Sequence, residues 1–548
     1  MPHTPNQSND QPNTQPKWWM HLGQKPHAAI TLIIILFLLR LLWQYLSPYT
    51  LAEDEAHYWE WSRRLDWSYY SKGPGVAWII AASTKLLGNT EFAVRLPALI
   101  SSALGAYAIV KTAQVAYHDH LTTFVSALLW LCVPGLAIAG LVMTIDAPYT
   151  ACWAWATCFA AKALLKNSPK SWLPFGLMIA LGFLFKYTIL LLIPGVLLAA
   201  IFIKPNPPNI KHYKYFALGM LLALLGLLPV LIWNAQHDWA TVRHLLGHLG
   251  LHGGDTEFTN AAKEPWTPLW TLEYITLQIA IGAGVLFLAL FAIPNTKKYS
   301  STKTQNATKT LWLFALPIFA FYFAVSLITQ TEGNWALAGF VSIIPPAAWA
   351  AIDGTKRKDH PVKIAWGASI FIGITALLFF PAGIWASKRA IVGQYIPITR
   401  LTGMREHAAH AQKILDDLET QTGQQPLILT EHYGRASQLA FYLKDHPTTY
   451  CISSLVGGRK TQYDLWTTTD LTNPNTLAPL QGKPALLMGG RIDQWTTAFD
   501  QVKDIGKLDS EPVDNRTSYI GYNFTNFNSW TPPGKRDKTD TQSPTPQP

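Results

Sequence analysis

Three consecutive carboxylates, Glu53-Asp54-Glu55, open a string that continues Ala56-His57-Tyr58-Trp59-Glu60-Trp61. Adjacent acids repel one another. They can cap the helix that follows, where acidic side chains meet the N-terminal dipole, or they can take a proton. A lysine stands further on, in the turn Tyr69-Tyr70-Ser71-Lys72-Gly73-Pro74-Gly75. Arg95, Asp146 (just before Pro148) and Lys186 (just before Tyr187) sit at the ends of long apolar runs. Ionisable groups at membrane depth are costly and usually paired or functional. Carboxylates mixed with cations suit a reaction that removes a proton and expels an anionic group: a carboxylate acts as base and the cations hold a phosphate. Asp54, Glu55 and Asp146 are therefore the candidate catalytic acids, and Lys72, Arg95 and Lys186 the candidate phosphate ligands. Each has a plainer reading as well, since Arg95 can snorkel and Asp146 can cap a helix.

Those residues must be positioned by membrane helices. Of 548 residues, 49% are hydrophobic and only 14% charged, against about a quarter charged in soluble domains. A bilayer core needs roughly 20 apolar residues of helix, and backbone groups in lipid must be satisfied internally. The apolar runs read as eleven spans, over 28–46, 92–116, 121–140, 148–165, 172–185, 187–203, 215–233, 269–293, 311–328, 335–352 and 364–385. Lys162/Lys166/Lys170, Lys204/Lys211/Lys214, Lys297/Lys298/Lys303/Lys309 and Lys356/Arg357/Lys358/Lys363 then fall on one side, which the positive-inside rule makes cytoplasmic. The net charge of +10 needs no nucleic acid to explain it. The first run is read as an anchor rather than a cleaved signal. The N-terminus is expected inside a plasma or inner membrane, and the acids of the first loop outside it. In that loop 56–65 and 76–87 are too short to span. They read as interfacial helices, with Trp59, Trp61, Trp67, Tyr69, Tyr70 and Trp78 as headgroup anchors.

From about residue 388 the apolar runs shrink to strand length and alternate with helical stretches, a pattern for a small α/β domain. The expected organisation is a cytoplasmic polar tail over 1–27, a transmembrane domain over 28–386, an extracytoplasmic α/β domain over 387–530 and a disordered tail over 531–548. His237, His244, His248 and His252 place three imidazoles on one helical face, but without acidic or Cys partners the run reads as a wet interfacial helix. No cofactor or metal site is supported, although a divalent cation stays open. Neither do Cys132, Cys152, Cys158 and Cys451 form a disulfide framework.

The string DEAHYWEWSRRLDWSYYSKGPGVAW, followed by EFAVRLP, TIDAP, FKYTILLL, NAQHDWATVRHL and EGNWALAGF, resembles bacterial family 39-like, protein-mannosyltransferase-type glycosyltransferases of the C superfold. It is similar at a greater distance to the aminoarabinose transferases that modify lipid A. The resemblance runs from about 28 to 385, and YGRASQLAFYLKDHPTTY with QYDLW resembles the outer domain of part of that group. It implies a polyprenyl-phosphate-linked monosaccharide donor and an acceptor hydroxyl or phosphate on a glycolipid, glycan or protein at the outer face. It also implies Asp54 as the base, Lys72 at the lipid phosphate, and Asp146 as the second acidic position. His57, Tyr58, Tyr70, Glu332 and Asn334 are the candidate substrate-binding residues that accompany these motifs. The chain departs from the family where Lys72-Gly73-Pro74-Gly75 replaces Lys-Pro-Pro. It departs again where His57, a weaker phosphate ligand than arginine, occupies an arginine position. Either one displacement with inversion or two with retention fits two available carboxylates. The competing reading is a secondary transporter of an anionic or sugar-like solute. Transporters hold their binding groups near the bilayer midplane and often carry internal repeats, neither of which the sequence displays.

Overall fold

The computed structural model describes residues 18–203, 210–249, 253–254, 266–387, 401–508 and 516–527. Most of the tail expected over 1–27, and all of that over 531–548, lie outside the described residues. Among the described residues, six helices are long and apolar enough to cross a membrane: Ala28–Leu46, Glu91–Tyr117, Ile210–Gln236, Thr302–Ser326, Gly333–Lys356 and His360–Phe379. A seventh crossing results if Pro268–Gly282 and Val285–Tyr299 count as one, although they meet at 86°. The bend falls where Ala283 (φ 45°) and Gly284 (φ 82°) leave the right-handed region. A side chain at Gly284 would press on Ser369 and the Ala365 carbonyl, so only glycine lets the chain turn there.

Other expected spans are shorter than a bilayer. The stretch 121–140 divides into His120–Cys132 and Pro134–Ala139, because the residue before a proline is steered out of the helical region. The stretch 172–185 is the helix Trp172–Phe183, and 187–203 opens as a 3-10 turn, Tyr187–Leu191, before Leu192–Ile203. Asp146–Leu165 runs along Glu91–Tyr117, and small residues are buried on both, among them Ala147, Ala151 and Ala154 on one and Ala98, Ser102 and Ala106 on the other. Such small side chains let two membrane helices approach without a hydrophobic driving force. The basic clips gather at one end of the bundle. Lys166 contacts His118, the charge of Lys303 reaches both, and the Arg357 guanidinium lies 3.9 Å over the Tyr299 ring.

Residues 427–524 hold a five-stranded sheet in the order β2-β1-β3-β5-β4. Its strands are β1 (Leu427–Thr430), β2 (Tyr450–Cys451), β3 (Ala485–Met488), β4 (Phe499–Gly506) and β5 (Ser518–Phe524). The first three are mutually parallel, with β5 antiparallel to β3 and β4 antiparallel to β5. Fully buried β1 and β3 read as continuous apolar runs, whereas edge strand β4 exposes Asp500, Lys503 and Asp504, charges that discourage edge pairing. From β1 the chain passes through helix Tyr433–Tyr442 to β2 on one side, then returns to β3 on the other side of β1.

Of the two first-loop helices, Glu53–Ser62 is buried within the protein rather than laid on its surface, while Gly75–Leu87 keeps Leu86 and Leu87 exposed. Helix Glu53–Ser62 is sandwiched against Tyr433–Tyr442, with Trp59 meeting Phe441 at 4.9 Å and Trp61 stacked on Tyr69 at 4.4 Å. Trp59, Trp61, Tyr69 and Tyr70 are therefore core residues rather than headgroup anchors, while Trp67 is exposed. The α/β unit covers them: Leu51 N–H donates to the Tyr442 hydroxyl at 2.6 Å, and the Gln438 amide donates to the Leu51 carbonyl at 2.8 Å.

Candidate active site

Helical rotation of about 100° per residue sends the three acids of 53–55 in three directions. Glu55 points inward and is fully buried. Its oxygens accept from Arg95 Nε at 2.7 Å and Nη2 at 2.6 Å, from Met143 N–H at 2.8 Å and from Ala52 N–H at 2.9 Å. Arg95 also donates to the Tyr49 and Thr50 carbonyls. A buried, fully bonded pair of this kind ties the first loop to helices Glu91–Tyr117 and Asp146–Leu165. Both Glu55 oxygens are taken up in this pair, and neither Glu55 nor Arg95 lines the cavity that Asp54 faces. Glu53 turns toward His432, 3.7 Å away. Asp54 alone is exposed, and it faces a cavity of about 510 Å³.

That cavity brings together Asp54, His57, Tyr58, Tyr70, Lys72, Lys186 and Glu332. The Tyr433 hydroxyl donates to Asp54 Oδ1 at 3.2 Å. Lys72 sits in a turn pressed against Leu184: Gly75 N–H donates to the Leu184 carbonyl at 3.0 Å, and a side chain at Gly73 would collide with that carbonyl. The close approach explains glycine where the family carries proline, and it sets Lys72 beside Lys186. Among the described residues Lys72 has no ion-pair partner. Burial, then the neighbouring Lys186 charge, push its pKa down to about 8.

Lys186 is paired instead, at 3.0 Å from Asp146 Oδ1. Asn334 donates to the other Asp146 oxygen at 2.7 Å, so this carboxylate is held from both sides and caps nothing. Asn334 and Asp146 are not among the lining residues; they brace Lys186, which is. His57 is likewise engaged, its Nδ1 bonded to the Ser437 hydroxyl at 3.0 Å and its Nε2 accepting from Trp61 at 3.1 Å. Burial, then Arg459 and His432, hold it well below the usual imidazole range, so it is a neutral scaffold for helix Tyr433–Tyr442. Burial, then Asp54, raise the Tyr58 hydroxyl well above its ordinary value, leaving it a neutral donor in the wall.

Sequence reasoning missed the roof. Tyr433, Arg459, Lys460 and Gln462 line the cavity from the α/β unit, and the Gln462 carboxamide oxygen accepts from Tyr70 N–H at 2.6 Å. Only long-range packing brings them there; YGRASQLAFYLKDHPTTY and QYDLW hinted at a domain, not at contacts. The histidine run also differs from its expected interfacial place. His244 is buried and lines the cavity with His248, 3.1 Å away, and the Tyr70 ring lies 4.6 Å from His244. His237 stacks on Trp233, and His252 lies outside the described residues. Among the described residues no three His, Cys, Asp or Glu side chains converge as a metal site. Much of the remaining wall is apolar, from Phe185, Leu190, Leu191, Leu245, Leu249 and Phe321.

Comparison with known proteins follows the same lines. A family model described as dolichyl-phosphate-mannose-protein mannosyltransferase matches residues 71–233. A lipid A galacturonosyltransferase from Rhizobium johnstonii is 27% identical over 403 residues, 72% of this chain and 77% of that one. An undecaprenyl phosphate-alpha-4-amino-4-deoxy-L-arabinose arabinosyl transferase from Proteus mirabilis is 27% identical over 360 residues, 62% of this chain and 61% of that one. The crystal structure of ArnT from Cupriavidus metallidurans bound to undecaprenyl phosphate superposes with a TM-score of 0.61 at 13% identity, covering 90% of this chain and 98% of that one.

Proposed function

We propose that this C-superfold membrane glycosyltransferase, which draws its sugar from a polyprenyl-phosphate carrier, works at the non-cytoplasmic face with Asp54 as general base and Lys72 as ligand of the leaving phosphate. The observation that carries this reading is a cavity joining an exposed carboxylate and a lysine without an ion-pair partner among the described residues to walls apolar enough for an isoprenoid chain. The acceptor hydroxyl attacks the anomeric carbon and gives its proton to Asp54. The bond from that carbon to the phosphate oxygen breaks with its electron pair, and Lys72 stabilises the charge that collects there. The ester is already activated, so positioning and electrostatics supply most of the acceleration. Asp146 has both oxygens engaged, which favours one displacement and inversion over a covalent intermediate.

The basic end of the bundle supports a cytoplasmic N-terminus and an outside location for the cavity and the α/β unit. On that topology the organisation is a cytoplasmic tail over 1–27, a transmembrane unit over 28–386, an outer α/β unit over 387–530 and a tail over 531–548. The acceptor is a glycolipid at the outer leaflet. The transporter reading has no comparable support, since the ionisable groups gather around one cavity with the family's transfer motifs. Purified full-length protein, given polyprenyl-phosphate-linked galacturonic acid or 4-amino-4-deoxyarabinose and a bacterial glycolipid extract, should release free polyprenyl phosphate in step with sugar incorporation. Neither release nor binding of polyprenyl phosphate would overturn the reading.

A further inference from the structure

A second space adjoins the donor cavity. It is a crevice of about 340 Å³ lined by Glu431, His432, Ser453, Val456 and Arg516, at the low end of the ~300–1,000 Å³ typical of small-molecule sites. Its place is set by topology. Glu431 directly follows β1, Ser453 lies just beyond β2, and Gly489-Gly490 follow β3. Because the chain leaves β1 toward β2 and later returns on β1's other side as β3, the loops diverge at the carboxyl ends of β1 and β3. Open parallel sheets bind ligands at such a switch point. The Gly490 N–H donates to Glu431 Oε2 at 2.7 Å, which fixes that carboxylate at the floor.

Two pairs of consecutive residues form a wall shared by crevice and donor cavity. His432 lines the crevice and Tyr433 the cavity; Gly458 lines the crevice and Arg459 the cavity. The Arg459 guanidinium lies 4.8 Å over the Tyr433 ring, and the Tyr433 hydroxyl touches Asp54. A group reaching over this wall therefore arrives at the carboxylate assigned as base. The two linings differ in kind. Aliphatic and aromatic side chains dominate the donor cavity. The crevice offers a carboxylate, an imidazole, a hydroxyl and a guanidinium with one valine, the mixed donors and acceptors that match a ring bearing several hydroxyls.

We infer that the crevice at the carboxyl ends of β1 and β3 binds the sugar head group of the acceptor, beside the donor cavity and separate from it. This rests on the transferase reading, and the two can fail apart. The test uses full-length protein in lipid nanodiscs with three soluble probes: a glucosamine disaccharide, its 1-phosphate, and inorganic phosphate. Either disaccharide should bind with polyprenyl phosphate already saturating. Ser453→Trp, which fills the crevice, should weaken that binding by roughly tenfold or more. His432→Gln should weaken it less, and both variants should keep the parental affinity for polyprenyl phosphate, which also reports that they are folded. Competition between disaccharide and polyprenyl phosphate would overturn the inference. So would disaccharide affinity that ignores both substitutions, binding of inorganic phosphate alone, or binding of no probe. Loss of polyprenyl phosphate binding in the parent would instead overturn the transferase reading itself.

Discussion

Asp54 differs from Glu53 and Glu55 in what its oxygens meet. Glu55 is saturated by Arg95 and backbone N–H groups, and Glu53 leans on His432, whereas Asp54 faces the cavity with the Tyr433 hydroxyl beside it. Asp54→Asn keeps the shape but cannot accept a proton. A positioned base contributes about 10²–10⁴-fold, so turnover should fall by that much with polyprenyl phosphate affinity nearly unchanged. Retention of more than about a tenth of parental turnover would remove Asp54 from the base role, and Glu53→Gln serves as the control. Lys72 supplies a pH test. With its pKa pushed down to about 8 in the free protein, it is charged below that pH and loses its proton as pH rises through it. Polyprenyl phosphate affinity should hold up to about pH 8 and then decline. Lys72→Ala should be weak at every pH, while Lys72→Arg should bind partially and without the alkaline decline, because guanidinium stays charged but reaches differently. Identical affinity curves for parent and Lys72→Ala would show that the lysine does not touch the phosphate.

At the scale of elements, the short helix Glu53–Ser62 has little reason to be stable alone. It is held by the Glu55–Arg95 pair beneath it and by Tyr433–Tyr442 above it. Removing one member of a buried pair strands the other charge and typically costs about 3–5 kcal/mol, while replacing both with apolar groups can be nearly neutral. Glu55→Gln should therefore lower the thermal midpoint of the detergent-solubilised protein clearly. Glu55→Leu combined with Arg95→Met should recover most of that loss, and Asp54→Asn should leave the midpoint close to parental. An unchanged midpoint for Glu55→Gln would mean that the pair does not anchor the helix. The bend at Ala283-Gly284 belongs to this scale too. A hydropathy window reads 269–293 as one run because it sees composition, whereas the turn depends on two left-handed residues and on the space taken by Ser369.

For the whole molecule, the α/β unit is more than an appendage, since its residues roof the cavity and its helix buries the first loop. The proposal that it lies outside rests on the positive-inside rule applied to the clustered lysines and arginines. A reporter fused after Ser387 should be active only outside, and one fused after Lys358 only inside. The reverse pattern would reject the proposed orientation and, with it, transfer at the outer face.

Much of this was legible without coordinates. Apolar run length and the alternation of basic clips depend on residues close together in the chain, so membrane residence and the string around Asp54 and Lys72 could be read directly. Rotation along a helix is equally local, yet what each face meets is not. Whether Glu55 or Asp54 stays free was decided by Arg95, and whether Asp146 braces or reacts was decided by Lys186 and Asn334. Tryptophans that composition assigns to headgroups went into the core because a distant helix covered them. The roof residues Tyr433, Arg459 and Gln462 reach the first loop only through packing between units far apart in sequence. Local chemistry determined which groups could react; long-range contacts, which tie up Glu55 and Asp146 and leave Asp54 facing the cavity, determined which of these three acids is open to it.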